Sequence, residues 1–79
     1  MKSATKKVPG FSERLKESRI AAGLTQQQIA DMLGITMRNY QRYERRESEP
    51  SLFNLVSLSV ILGTTPNHLL GLDAEAPAD

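Results

Sequence analysis

Apolar residues recur along this chain at helical intervals, and glycine or proline interrupts each run. Within residues 11–22, Phe11, Leu15, Arg19 and Ala22 fall on one helical face. Gly23 closes that helix, with Leu24 tucked under it. Thr25 followed by Gln28 has the spacing of a capping box, and Ile29, Ala30 and Leu33 then share the face of a second helix. Gly34 sits where the chain must leave that helix, and Thr36 is placed to cap a third. On the third helix Tyr40 and Tyr43 lie opposite Arg38, Arg42 and Arg45. The tyrosines are therefore assigned to the core, and Arg38, Gln41, Arg42 and Arg45 to one polar, basic outer face.

After a polar loop ending at Pro50, Ser51 caps a fourth helix with Leu52, Leu55, Ser59 and Leu62 as its buried stripe and Leu58 beside them. Phe53 and Val60 fall off that stripe, and no charged residue stands between Leu52 and Leu62, so an exposed apolar patch is expected. Thr65-Pro66 repeats the cap-then-proline start signal for a short fifth helix carrying Leu69 and Leu70, ended by Gly71. Five short helices and no sheet make the expected fold class all-α. The expected organisation is a flexible basic arm over residues 1–10, one helical domain over 11–72 and a flexible acidic tail over 73–79.

Composition narrows the chemistry. With 79 residues and no cysteine, the core must come from helix packing, without disulfides or thiolate metal sites. No apolar run follows the N-terminal lysines and no segment nears the length of a membrane span, so a soluble cytoplasmic protein is expected. The net charge of +1 conceals an asymmetry: residues 1–46 hold all ten Lys and Arg against four acids, and residues 47–79 hold five acids and no Lys or Arg. A polyanion suits the basic part. The single histidine, His68, has no neighbours spaced to complete a metal site, and neither a phosphate loop nor paired carboxylates occur. No enzyme activity, metal or cofactor is expected. Arg19 is the anomaly, since a cation on an apolar stripe needs a partner.

Arg19, Gly23-Leu24-Thr25-Gln26, Ile29-Ala30, Gly34-Ile35-Thr36, Tyr43-Glu44, Pro50-Ser51-Leu52, Leu62-Gly63 and Leu69-Leu70-Gly71 together resemble the phage-repressor-like (XRE, lambda repressor-like) helix-turn-helix family. The resemblance spans residues 11–72. It implies a compact five-helix domain in which the second helix crosses the DNA backbone and the third enters the major groove. It also implies that Met37, Arg38, Gln41 and Arg42 read bases and that Gln26 touches a phosphate while bracing the third helix. Asn39 matches a backbone-contacting position, and the charge of Arg45 and Arg46 makes them expected phosphate contacts. An ion pair between Arg19 and Glu44 follows from the same resemblance.

Three residues or pairs depart from the pattern. Arg45-Arg46 stands where Asn-Gly is common, Tyr40 where a β-branched aliphatic residue is commoner, and Phe53 and Val60 where polar residues are usual. The expected function is a sequence-specific regulator of transcription, most simply a repressor. It would bind double-stranded DNA as a homodimer on a palindromic operator, in the cytoplasm on the nucleoid. The alternative is an antitoxin-like or other protein-interaction module, with the fourth helix and its Phe53/Val60 patch as the partner surface.

Overall fold

Each of the last four helices starts on a hydroxyl. Thr25, Thr36, Ser51 and Thr65 accept the backbone N–H groups of Gln28, Asn39, Asn54 and His68 at 3.0–3.1 Å. Each cap satisfies a donor that the helix leaves free and contributes about 1 kcal/mol. In the computed structural model of the chain, which describes residues 6–72, the helices are α1 (Phe11–Ala21), α2 (Gln26–Leu33), α3 (Met37–Glu44), α4 (Leu52–Leu62) and α5 (Pro66–Leu70). The described residues form no strand, so the chain is all-α with five helices. The expected acidic tail and the first five residues of the expected arm lie outside the described residues.

The helices close around one core in which Leu15, Ile29, Tyr40, Leu58 and Leu69 are completely buried. Each helix contributes at least one such residue, with Ala30 a second from α2, so all five share one core. Val8 packs against this core, and its backbone N–H donates to the Glu49 carboxylate at 2.5 Å. Arg14 fastens the two ends of the domain: its guanidinium donates to the Pro9 carbonyl at 2.8 Å and to the Leu69 carbonyl at 3.0 Å. Part of the segment expected as a free arm is thus docked at residues 8–10.

Two stripes differ from their expected positions. Leu52 is 82% exposed, whereas Leu58 is fully buried, so the inner face of α4 is Leu58, Ser59 and Leu62 with Leu55 half-buried. The first turn of α4 overhangs the core edge, and only its later turns cross the core. Ala22 is the C-cap of α1 and exposed, because the helix turns away there.

Two turns frame α3. Gly34 takes a φ of 76°, which lets the Ile35 N–H return to the Ala30 carbonyl at 3.0 Å and start the short link to Thr36. At the other end Arg46 is the one non-glycine described residue with positive φ, 66°. An L side chain in that conformation costs about 1–2 kcal/mol. Its exposed guanidinium lies 3.8 Å from the Glu13 carboxylate, a contact that solvent weakens.

Thermal unfolding checks both turns. Gly34→Ala places a Cβ on a left-handed backbone and is expected to lower stability by about 1–2 kcal/mol. Arg46→Gly releases strain at some cost in unfolded-state entropy, and is expected to raise it by about 0.5–1 kcal/mol, a melting-temperature gain of a few degrees.

Candidate nucleic-acid interface

The outer face of α3 depends on what its inner face is tied to. Tyr40 is fully buried and Tyr43 nearly so, and their rings meet edge to face with centroids 5.9 Å apart. The last turn of α3 is then bound to three other helices. Ser12 of α1 donates its hydroxyl to the Tyr43 carbonyl at 2.5 Å. Asn54 of α4 donates to the Tyr43 hydroxyl at 3.3 Å. Glu44 receives the rest.

The Glu44 side chain is 4% exposed, so its charge needs compensation on every side. Arg19 supplies a two-pronged pair, Nε to Oε2 at 2.7 Å and Nη2 to Oε1 at 3.3 Å, and uses its remaining Nη1 on the Leu24 carbonyl at 3.1 Å. The Tyr40 hydroxyl donates to Oε2 at 2.5 Å, and the Gln26 amide donates to Oε1 at 2.9 Å. No buried side-chain nitrogen or oxygen among the described residues is left without a partner.

The protonation states follow from this packing. Burial by itself would push the Glu44 carboxyl up, but the hydrogen bonds from Arg19, Tyr40 and Gln26 together with the Arg19 charge outweigh it and hold the group below its ordinary range. Burial and the carboxylate acceptor both push the Tyr40 hydroxyl above its usual range, so it stays a neutral donor. The hydrogen bond to Glu44 raises Arg19 against the opposing effect of burial.

Gln26 connects this centre to the outer surface. It occupies the first position of α2, where Thr25 and Gln28 complete a reciprocal capping box. Its amide oxygen accepts from the Gln41 amide at 3.2 Å while its nitrogen holds Glu44. Gln41 is therefore half-buried and drawn back toward α2. Met37, Arg38, Asn39 and Arg42 remain exposed, on the free side of a helix whose other side is fixed. Arg45 and Arg46 are exposed at its exit, and Glu47 approaches Arg42 with Oε1 3.8 Å from Nε.

The structure thus gathers Met37, Arg38, Asn39, Arg42, Arg45 and Arg46 onto one exposed element and sets Gln26 and Gln41 as a brace beside it. Phe53 and Val60 are exposed elsewhere, on α4. Sequence reasoning passed over Ser12 and Asn54, which fasten α3 through Tyr43. Both are short polar residues on helices, and nothing local distinguishes them from solvent-facing ones. No group of three or more His, Cys, Asp or Glu side chains among the described residues is placed to hold a metal ion. Likewise no helix of the described residues is long and apolar enough to cross a membrane.

Two short helices locked at a tight turn, with a basic outer helix, define the class of helix-turn-helix domains. The helix-turn-helix family profile matches residues 15–69, and the chain belongs to that family. It is 48% identical over 60 residues to YonR, an SPbeta prophage-derived uncharacterized HTH-type transcriptional regulator of Bacillus subtilis, covering 76% of this chain and 56% of that one. It is 39% identical over 61 residues to the cryptic phage CTXphi transcriptional repressor RstR of Vibrio cholerae, covering 77% and 54%. The chain therefore spans about half the length of these curated relatives.

Among solved structures, the P22 c2 repressor in complex with a synthetic operator superposes with a TM-score of 0.73 at 32% identity, covering 80% of this chain and 96% of that one. The restriction-modification controller protein C.AhdI of Aeromonas hydrophila gives 0.71, also at 32% identity, over 78% and 94%. Of these, YonR is a transcriptional regulator and RstR a transcriptional repressor.

Glu44→Gln strands the buried Arg19 charge and is expected to cost about 3–5 kcal/mol at neutral pH by urea unfolding. The pH dependence has a definite sign. A carboxyl held below its unfolded value of about 4.3 contributes fully above that pH, and its contribution disappears as pH falls through the folded value. The stability gap between the natural chain and Glu44→Gln is therefore expected to narrow as the pH is lowered below about 4.

Proposed function

We propose that this chain is a sequence-specific, double-stranded DNA-binding regulator of transcription, acting as a repressor on the nucleoid, with α3 in the major groove. One observation carries the reading. Arg38 and Arg42 stand exposed, one helical turn apart, on a helix whose inner face is locked by a buried carboxylate network. A groove that admits a helix offers guanine O6 and N7 to a planar arginine fork, and such a fork discriminates only if its helix is held rigidly. Met37 offers apolar contact, as to a thymine methyl, and Gln41 a carboxamide beside the arginines. Asn39, Arg45 and Arg46 fall to phosphates, as does Gln26, whose position at a helix N-terminus favours an anion. The P22 c2 repressor, similar in fold and solved with a synthetic operator, supports operator DNA as the ligand.

The second element of the proposal is a homodimer. Leu52, Phe53, Val56 and Val60 are 82%, 79%, 54% and 75% exposed. The last three follow helical spacing, so α4 has an apolar outer face as well as an apolar inner one. A second copy covering that face would present two α3 helices to half-sites about 34–36 Å apart on a palindromic operator. The same face also supports a second reading, an antitoxin-like module that docks an unrelated protein.

Selection from random duplex DNA tests the first element. The natural chain is expected to enrich a palindrome, and an unenriched pool overturns the assignment. Arg38→Ala and Arg42→Ala are each expected to cost about 1–3 kcal/mol on the selected site and to relax base preference there. Arg45→Ala should weaken all duplexes alike and reduce the salt slope by about 1. For the dimer, sedimentation of Phe53→Ser/Val60→Ser is expected to show monomers where the natural chain shows dimers. A natural chain that sediments as a monomer both free and on the selected duplex rules out that interface.

A further inference from the structure

The Arg46 turn does more than end α3. Because Arg46 adopts the left-handed conformation, the chain reverses, and the N–H groups of Glu47 and Ser48 both return to the Arg42 carbonyl, at 2.9 and 3.3 Å. That reversal sets the Glu47 carboxylate beside the Arg42 guanidinium, 3.8 Å from Nε. Resting on the base-reading role given to Arg42 above, we propose that Glu47 is a specificity-determining residue, which competes with DNA phosphates for Arg42 and so suppresses binding to unrelated sequences.

Both side chains are about half exposed, 49% and 51%, so their pair adds little to stability and opens readily. Its effect falls on binding instead. Attraction to unrelated DNA is almost entirely phosphate attraction, which accepts an arginine in any orientation. To join it, Arg42 must leave Glu47 and bring the carboxylate close to a polyanion, well inside the Debye length. Guanine imposes a different requirement. It needs a planar fork aimed into the groove, and with Glu47 on the Nε side the two terminal nitrogens remain to form it. Glu47 therefore penalises the unselective complex more than the selective one. Arg46 bears a comparable acid at 3.8 Å, Glu13, so two of the four arginines between residues 38 and 46 face a carboxylate in the free protein.

The test compares Glu47→Gln with the natural chain on two duplexes, the selected site and a scramble of equal length, by fluorescence anisotropy across a salt series. Glu17→Gln, an exposed acid on α1 with the same charge change, serves as the control. For Glu47→Gln the scramble is expected to bind about three- to tenfold tighter, with a salt slope steeper by about 0.9 from one added phosphate contact. Affinity for the selected site should change by less, so the ratio of the two falls. Glu17→Gln should leave the ratio unchanged, and the gain on the scramble should vanish in an Arg42→Gln background. An equal gain on both duplexes, no gain on either, or a gain that survives without Arg42 overturns the role of Glu47 while leaving the DNA-binding assignment standing. A natural chain that distinguishes no duplex overturns that assignment itself, and the role of Glu47 with it.

Discussion

A buried carboxylate is costly until its oxygens are occupied, and Glu44 meets that requirement by recruiting groups from three helices. Arg19 comes from α1, Gln26 from α2 and Tyr40 from α3 itself. The resulting constraint is geometric as much as energetic. A two-pronged guanidinium pair has a preferred plane, and the tyrosine hydroxyl fixes the same oxygen from below. The rotation of α3 about its own axis, which decides whether Arg38 and Arg42 point outward, is set by these contacts. A purely apolar core would hold the helix in place with weaker control over that rotation, since dispersion contacts are not directional.

Tyr40 shows how a departure from the family pattern is absorbed. A β-branched aliphatic residue would fill part of the space under α3 and leave Glu44 to its other donors. The tyrosine fills that space completely and adds a donor to Glu44. Its ring also meets Tyr43 edge to face, the arrangement that the aromatic quadrupole favours. The larger side chain therefore joins the apolar core to the polar centre.

The caps and the turns were legible in the sequence because they are local. A hydroxyl three residues before an amide donor, and a glycine after the last apolar position, need no knowledge of the rest of the chain. Arg19 was recognisable as a cation in need of a partner, but it took a family resemblance to point to Glu44, 25 residues away. The stripe of α4 was misplaced at Leu52 and Leu58 because period alone does not say which turns of a helix cross the core. Ser12 and Asn54 were missed for a similar reason: their partners, the carbonyl and hydroxyl of Tyr43, are adjacent only in the folded chain. The left-handed Arg46 carried no signal of its own, and only the Asn-Gly common at that place in the family marked the turn. Gln41 was placed with the base readers, and the further contact that its amide makes to Gln26 had no local signal.

Glu44 and Glu47 make opposite uses of the same functional group, and the difference lies in burial. Glu44 is sealed from water, its partners are fixed, and loss of Arg19 to a phosphate would leave the carboxylate uncompensated in the interior. Glu47 is half exposed, so its partner can leave at little cost when something better is offered. The first acid orients α3, while on the proposed reading the second acts on what Arg42 will accept. Both act at the last turn of α3, and they are connected through the backbone. The helix that Glu44 terminates carries the Arg42 carbonyl to which the reversed chain returns. A mutation that loosened the buried centre would therefore also displace the outer pair, whereas a change at Glu47 would leave the buried centre intact. On the proposed reading, rigidity at the centre is the precondition for selectivity at the rim, and the dependence runs in that direction only.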